Sequence, residues 1–288
     1  MEGPHLDADI RAAYLRRLGL DAEPPSVDAL QRLVQRQVER VPYETMWIAA
    51  GEAWGIDPFD AAARVALRGR GGYCYHLNGA LAELLRSLGY SVHRHAGGVH
   101  GPDGPSAECV GNHLVLTVDG LPSAANPSGT WYVDAGLGDA FYTPVPLAAG
   151  QLEQPPFHLS LEAVQGGWHL THDPSGGFTG MTWMSGVARP ADFVAQHHWL
   201  STSPDSGFVR VPMAERRDAT GVDVVRGLVL SRVGHGATTG EPITRRNDWF
   251  AVLADMFDLR FEHTPAGALD RLWQRVVATH TEWEQARQ

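Results

Sequence analysis

Apolar residues recur at helical spacing through the first third of the chain and then at alternate positions, and that change of period divides the sequence. In "DADIRAAYLRRLGL" Ile10, Tyr14, Leu15 and Leu18 share one face, and Gly19 ends the run. A second helix is predicted over "VDALQRLVQRQVERV", with Leu30, Leu33, Val34 and Val38 as its stripe, Ser26 as N-cap and Pro42 beyond its end. "PFDAAARVAL" predicts a third. The fourth lies in "RGRGGYCYHLNGALAELLRSLGY", where Leu77, Leu81, Leu84, Leu85 and Leu88 are helically spaced, Gly89 is the stop, and Cys74 sits at or just before the first turn.

From about Tyr90 the period shortens. "SVHRHAGGV", "NHLVLTVDG", "TWYVDAGLG", "GGWHLTHD" and "GFTGMTWM" are short, rich in β-branched and aromatic residues, and bounded by Gly, Pro and Asp, which predicts a small antiparallel sheet or barrel. "GPDGPSAE" and "LPSAANPSG" read as loops and "LSTSPDSG" as a linker. The last stretch predicts two strands, "FVRVPMAE" and "VDVVRGLVLSRV", and two helices, "RRNDWFAVLADMFDL" and "GALDRLWQRVVATHTEWEQAR". There is no internal repeat and no low-complexity segment.

Composition narrows the function classes. At 288 residues and 43% hydrophobic content, the chain suits a soluble, well-cored globular protein. A net charge of −10 with no basic run argues against nucleic-acid binding. No apolar run approaches the roughly 20 residues that span a bilayer, and the N-terminus "MEGPHLDADIRAAYL" lacks a basic region followed by an apolar one. The expected location is the cytoplasm. Two cysteines cannot staple a chain of this size, so free thiols in a reducing compartment are expected.

One of those thiols has a physical reason to react. Cys74 follows two glycines at a helix N-terminus, where unsatisfied amides and the helix dipole favour a thiolate, although a free cysteine in such a place can equally be a small core residue. Alternation in "NHLVLTVDG" puts His113, Val115 and Thr117 on one face; in "TWYVDAGLG", Asp134 shares a face with Tyr132. Two neighbouring strands can therefore present His113 and Asp134 side by side toward Cys74, as the base and orienting carboxylate of a nucleophilic triad. Zinc is the competing reading. Cys74 and His76, with Cys109 and His113, supply four acceptable ligands, but C-x-H and C-x3-H are not usual zinc spacings, so no metal is expected.

Five segments in order, "VPYETM", "RGGYCYHLN", "NHLVL", "WYVDAGLGD" and "DFVAQHHWLSTSPDSGF", resemble the arylamine N-acetyltransferase family and span most of the chain. The resemblance implies an α+β fold: a helical N-terminal bundle over 1–89 carrying the nucleophile, a β-barrel domain over 90–190 carrying the histidine and aspartate, and a linker with an α/β lid over 191–288. It also implies a cysteine-protease-like active site. The family's catalytic cysteine, histidine and aspartate map onto Cys74, His113 and Asp134. Arg70, Gly71, Gly72 and Asn78 match the surround of the nucleophile as scaffold, to shape the turn and cap the helix. Tyr43, Tyr75, Gly136, Leu137 and Phe208 match positions that line the acyl and acceptor pocket.

The activity so implied is a two-step transfer. The thiolate takes an acetyl group from acetyl-CoA, as co-substrate and not as a bound cofactor, and passes it to an arylamine or similar small-molecule amine. Three positions depart from the family: Tyr43-Glu44-Thr45 where Phe-Glu-Asn is common, His76 for Glu or Gln, and Leu137 for Phe. They bear on the acceptor. A related branch implies an alternative, an amide synthase taking a longer acyl chain from an acyl carrier protein. That partner needs a basic patch, for which Arg216, Arg217, Arg245 and Arg246 are the candidates.

Overall fold

The computed structural model describes residues 5–106 and 109–286. Helix α1 (Ala8–Leu18) starts where the Asp7 side chain accepts from the amides of Asp9 and Ile10, and it stops at Gly19 with φ +68°. Helix α2 (Val27–Arg40) is capped by Ser26, whose hydroxyl accepts from the Ala29 amide, as its sequence predicts. A two-residue strand β1 (Tyr43–Glu44) and a short helix α3 (Met46–Ala50) follow. Helix α4 (Pro58–Arg68) begins on an Asp57 cap, with Pro58 in the first turn where its missing N–H costs nothing. Helix α5 (Cys74–Ser87) begins at the cysteine itself, and twelve of its residues are buried, so it is a central helix with core on all sides.

Eight strands then form one antiparallel sheet: β2 (Ser91–His100), β3 (His113–Asp119), β4 (Trp131–Val133), β5 (Val145–Pro146), β6 (Gly150–Gln154), β7 (Phe157–Val164), β8 (Gly167–Thr171) and β9 (Gly180–Met184). Their order is β5-β4-β3-β2-β9-β8-β7-β6. The sheet curls until its two edges nearly meet. At that corner Gln154 of β6 accepts through its side-chain oxygen from the amides of Tyr142 and Thr143, just ahead of β5. The predicted loop 101–108 connects β2 toward β3, its last two residues lying outside the described ones.

The sequence reading omitted β5, β6 and β7. In β7, Phe157, Leu159 and Leu161 alternate inward, but the flanking "QPP" and "QGG" read as breakers. In the structure those breakers are the hairpin turns.

After a 3-10 turn (Pro190–Phe193) come α6 (Val194–Thr202), α7 (Gly207–Arg210), β10 (Met213–Asp218), β11 (Gly221–Arg226), β12 (Val229–Gly234), β13 (Thr238–Thr239), α8 (Arg246–Phe257) and α9 (Ala266–Ala286). Two expectations change here. "LSTSPDSG" is no linker: it joins the end of α6 to α7, and the buried Ser206 hydroxyl donates to the Leu200 carbonyl while accepting from the Phe208 amide. "FVRVPMAE" opens as the single turn α7, and "VDVVRGLVLSRV" is a hairpin of two strands turning at Gly227, whose φ is +59°.

The five-stranded second sheet runs β1-β10-β11-β12-β13, so Tyr43 and Glu44 pair with Glu215 and Ala214 across the length of the chain. Three cores result. One is built from the N-terminal helices and one face of β3 and β4, with Leu30, Val34, Leu81, Leu84, Leu114 and Leu116. A second fills the barrel around Tyr132, Phe157, Leu170 and Trp183. The third joins α3 to α8 and α9 through Met46, Trp249, Phe257 and Leu272. Strand β3 is the wall between the first two: Leu114, Leu116 and Val118 face the helices and Val115 faces the barrel. Each fully buried leucine contributes about 2 kcal/mol. No helix among the described residues is long and apolar enough to cross a membrane.

Candidate active site

Glycines bring Cys74 to the head of α5. A Cβ on Gly71 would lie 1.8 Å from the Pro42 carbonyl oxygen, so only glycine passes there. Gly72 has φ +103°, a Cβ on it would meet the His76 ring at 2.6 Å, and its carbonyl accepts from the Glu44 amide. Arg70 fixes the approach to this turn. Its Nε donates to Glu44 Oε1 at 3.0 Å and one terminal nitrogen to Glu52 Oε1 at 3.2 Å, while the guanidinium lies over the rings of Phe261 and Trp54. Glu44 is fully buried, and its other oxygen accepts from the Met46 amide.

His113 opens β3, and Asp134 follows the last residue of β4. The register pairs Leu116 with Val133 and Thr117 with Tyr132, which places His113 and Asp134 on one face, as alternation predicts. His113 Nε2 donates to Asp134 Oδ2 at 2.8 Å, with both side chains almost wholly buried. With Nε2 engaged by Asp134, Nδ1 is the free ring nitrogen, and Cys74, which lines the same cavity, acts on the charge of the ring. Burial works to discharge the imidazole, but Asp134 and then Cys74 outweigh it and raise its pKa to about 10. The thiol also lies 3.6 Å from the Asn112 carbonyl. Asn112 is itself pinned by a two-way hydrogen bond between its side-chain amide and the backbone of Val99.

Asp134 accepts four hydrogen bonds: His113 and Tyr132 OH on Oδ2, Asn78 Nδ2 and the Gly136 amide on Oδ1. Its orientation is therefore fixed. Asn78 does more than shape a turn, since its Nδ2 also donates to the Leu114 carbonyl at 2.7 Å and its Oδ1 accepts from the Ala135 amide at 2.9 Å. One buried amide thus ties the helix of the cysteine to the strand of the histidine and the loop of the aspartate. The sequence placed Asn78 four residues beyond Cys74, on the same helix face, but gave no sign of its partners. Gly136 permits the close approach: a Cβ there would lie 2.8 Å from Cys74 Cα and 3.0 Å from Asn78 Nδ2.

These groups open into a cavity of about 250 Å³. Tyr43, Gly136, Leu137 and Phe208 line it with Cys74 and His113, and Tyr43 and Phe208 meet edge to face. Tyr75 is not in that lining. Its hydroxyl donates to the Gly111 carbonyl at 2.6 Å, and its ring packs on Phe193. Asp139, Glu215 and Arg226 also line the cavity, and none of them carried a sequence signal.

Of the four possible zinc ligands, His76 and Cys109 are engaged away from Cys74 and His113. His76 packs edge-on against Trp47, Trp54 and Tyr73, with Nε2 on the Gly55 carbonyl, and burial, then Arg64 and His197, hold its pKa well below the usual value. Cys109 lies 3.5 Å from the Ser106 hydroxyl. Among the described residues no three His, Cys, Asp or Glu side chains gather around a metal-sized point.

A family model described as N-acetyltransferase matches residues 26–265. The arylamine N-acetyltransferase of Mycolicibacterium smegmatis is 31% identical over 217 residues, which cover 68% of this chain and 72% of that protein. In structure, the arylamine N-acetyltransferase from Salmonella typhimurium superimposes with a TM-score of 0.81 at 22% identity, covering 95% of this chain and all of that one. The Mycobacterium marinum arylamine N-acetyltransferase in complex with CoA gives 0.80 at 24% identity, covering 92% and 97%. The two structures share the fold, the family model spans most of the sequence, and on that footing the chain belongs to the arylamine N-acetyltransferase family of acetyltransferases.

Proposed function

We propose that this protein transfers an acetyl group from acetyl-CoA to an arylamine or similar amine through a thioester on Cys74. The observation that carries the reading is that Cys74 and His113 line one cavity while Asp134 holds His113 from behind by a hydrogen bond of 2.8 Å. Asp134 holds the Nε2–H tautomer of His113, which leaves Nδ1 to take the thiol proton, and the first amides of α5 favour the resulting thiolate. The thiolate attacks the thioester carbonyl. A carbon–sulfur bond to Cys74 forms, the bond to CoA breaks, and the departing coenzyme thiolate takes the proton from the His113 imidazolium. The amine then attacks the acetyl-cysteine and gives its proton to His113. The carbon–sulfur bond breaks, and the thiolate–imidazolium pair is restored. Exchange between two thioesters is close to balanced in energy and amide formation is downhill, so the second step drives the first. The M. marinum relative solved with CoA supports a CoA thioester as donor.

Of the four arginines named for a carrier-protein patch, Arg217 is buried and donates to the Gln154 carbonyl, Arg245 and Arg246 are paired with Asp248 and Asp270, and only the Arg216 side chain has neither a hydrogen-bond nor an ion-pair partner among the described residues. Intact-protein mass after brief exposure to acetyl-CoA tests the proposal. One acetyl adduct is expected in wild type and in Cys109→Ala, none in Cys74→Ala, and an arylamine should discharge it. An adduct that survives Cys74→Ala, or that forms only from a longer acyl thioester, would overturn it.

A further inference from the structure

Opposite the nucleophile, the cavity carries a pair of carboxylates that the transfer chemistry does not use. Glu215 projects from β10 so closely over the loop after Asp134 that a Cβ on Gly138 would lie 1.8 Å from its Oε2. Asp139, one residue further along that loop, is 7% exposed and accepts from the Gly177 amide at 2.5 Å. Both line the same cavity as Cys74. Tyr43 lines the cavity with them, and burial, then Cys74, Glu215, Tyr73 and Asp139, raise the pKa of its hydroxyl.

The pair is poorly neutralised. Glu215 makes no hydrogen bond or ion pair with any described residue. The wholly buried His172 side chain turns Nε2 toward Asp139 Oδ1 at 3.6 Å without forming a hydrogen bond. The exposed Arg226 on the cavity wall is the counter-charge to Glu215, and the buried Arg217 acts on Asp139 from behind the wall. Burial, then repulsion from Asp139, raises the Glu215 pKa to about 8, with Arg226 opposing. Each carboxylate therefore disfavours charge on the other, a cost that a cation placed between them would relieve.

Resting on the acyl-transfer reading above, we propose that Glu215 and Asp139 form a cation subsite that selects acceptor amines carrying a second, positively charged group. The acceptor's neutral nitrogen meets the acetyl-cysteine while its cationic end sits between the carboxylates. An anionic acceptor is disfavoured by the same pair. The cation displaces water rather than a protein group, because no described residue hydrogen-bonds or ion-pairs with Glu215.

Three acceptors of one shape separate charge from size: 4-aminobenzamidine, 4-aminobenzamide and 4-aminobenzoate. The amidinium withdraws most from the reacting nitrogen, so any preference for it runs against intrinsic reactivity. With acetyl-CoA as donor, wild type is expected to show kcat/KM at least about tenfold higher for the amidine than for the carboxamide, with the carboxylate lowest. Glu215→Gln is expected to bring the amidine-to-carboxamide ratio down about tenfold, and Asp139→Asn to lower it in the same direction. A ratio cancels any general loss in a variant, and if one variant does not fold, the wild-type series and the other still decide. Acetyl-Cys74 is read by mass in the same samples. If it forms but the wild-type ratio is one or less, or neither variant changes it, the cation subsite is refuted while acyl transfer stands; if it never forms on Cys74, both fall.

Discussion

Asn78→Ala removes the buried amide that joins the three parts of the site, and its cost can be worked from the partners left behind. The Ala135 amide loses its acceptor, the Leu114 carbonyl loses a donor at 2.7 Å, and Asp134 Oδ1 keeps only the Gly136 amide. A buried polar group left unpaired costs about 1–3 kcal/mol, and water entering the vacated space relieves part, so a loss of about 3–5 kcal/mol in unfolding free energy is expected. The rate should fall further than stability alone requires. Asp134 keeps His113, the Tyr132 hydroxyl and the Gly136 amide, but the tie of its loop to the helix of Cys74 is lost, and a misplacement of the two elements on the order of 1 Å costs about a hundredfold. Asn78→Asp is the sharper companion. It keeps the shape and the acceptor for Ala135 but sets a carboxylate at 2.8 Å from Asp134 Oδ1, so the two must share a proton and activity should fall as that proton is lost on raising the pH. Urea unfolding gives the stability, and quenched-flow mass measurement of the acetyl-enzyme gives the rate. If Asn78→Ala acetylates within about threefold of wild type and unfolds within about 1 kcal/mol of it, the amide is not the tie described here.

Further outcomes follow from the same geometry. Gly136→Ala forces a methyl into a space 2.8 Å from Cys74 Cα, so overpacking of about 1–3 kcal/mol should accompany a marked loss of acetylation, visible in thermal unfolding and in adduct mass. Arg70→Leu leaves Glu44 buried without its cation and should lower unfolding free energy by about 3–5 kcal/mol in urea titration. The His113 ring, which Asp134 and then Cys74 hold charged against burial up to about pH 10, should titrate lower in Asp134→Asn, read from its ring resonances by NMR against pH; an unchanged titration would refute the role given to the carboxylate. The sign for stability is the same: a histidine raised from 6.5 to about 10 adds stability in full below 6.5, and that contribution fades as pH climbs through 10.

The nucleophile's helix was legible because local rules agreed there. Two glycines forced the turn, leucines at helical spacing fixed the face, and Cys74 fell on the first residue of α5. His113 and Asp134 were legible for a different reason. Side chains alternate along a strand, so a shared face follows as soon as β3 and β4 are neighbours, and β3 gave a clean alternation because each face meets its own core. What failed was local chemistry overridden by distant partners. The alternating "FVRV" reads as a strand, yet the Ser206 cap winds it into one helical turn, and the polar "LSTSPDSG" reads as free linker although the Ser206 hydroxyl is buried on the Leu200 carbonyl.

The same distinction explains which half of the site could be read. Residues that make and hold the nucleophile lie within 70–136, on elements whose neighbours in sequence are neighbours in space. The cavity's selective wall is assembled by β1 pairing with β10, which sets Tyr43 against Glu215 across the whole molecule, with a register that no short segment encodes. Glu215 in "PMAERRD" looks like an ordinary solvated charge beside two arginines. Only the second sheet turns it from solvent into the cavity, while Arg217, two residues on and on the same strand face, reaches the Gln154 and Pro155 carbonyls at the barrel junction. On the proposed mechanism, the reacting groups are set by local motifs and the acceptor wall by long-range pairing, so substitutions in β10 should alter which amine is acetylated while acetylation of Cys74 itself persists.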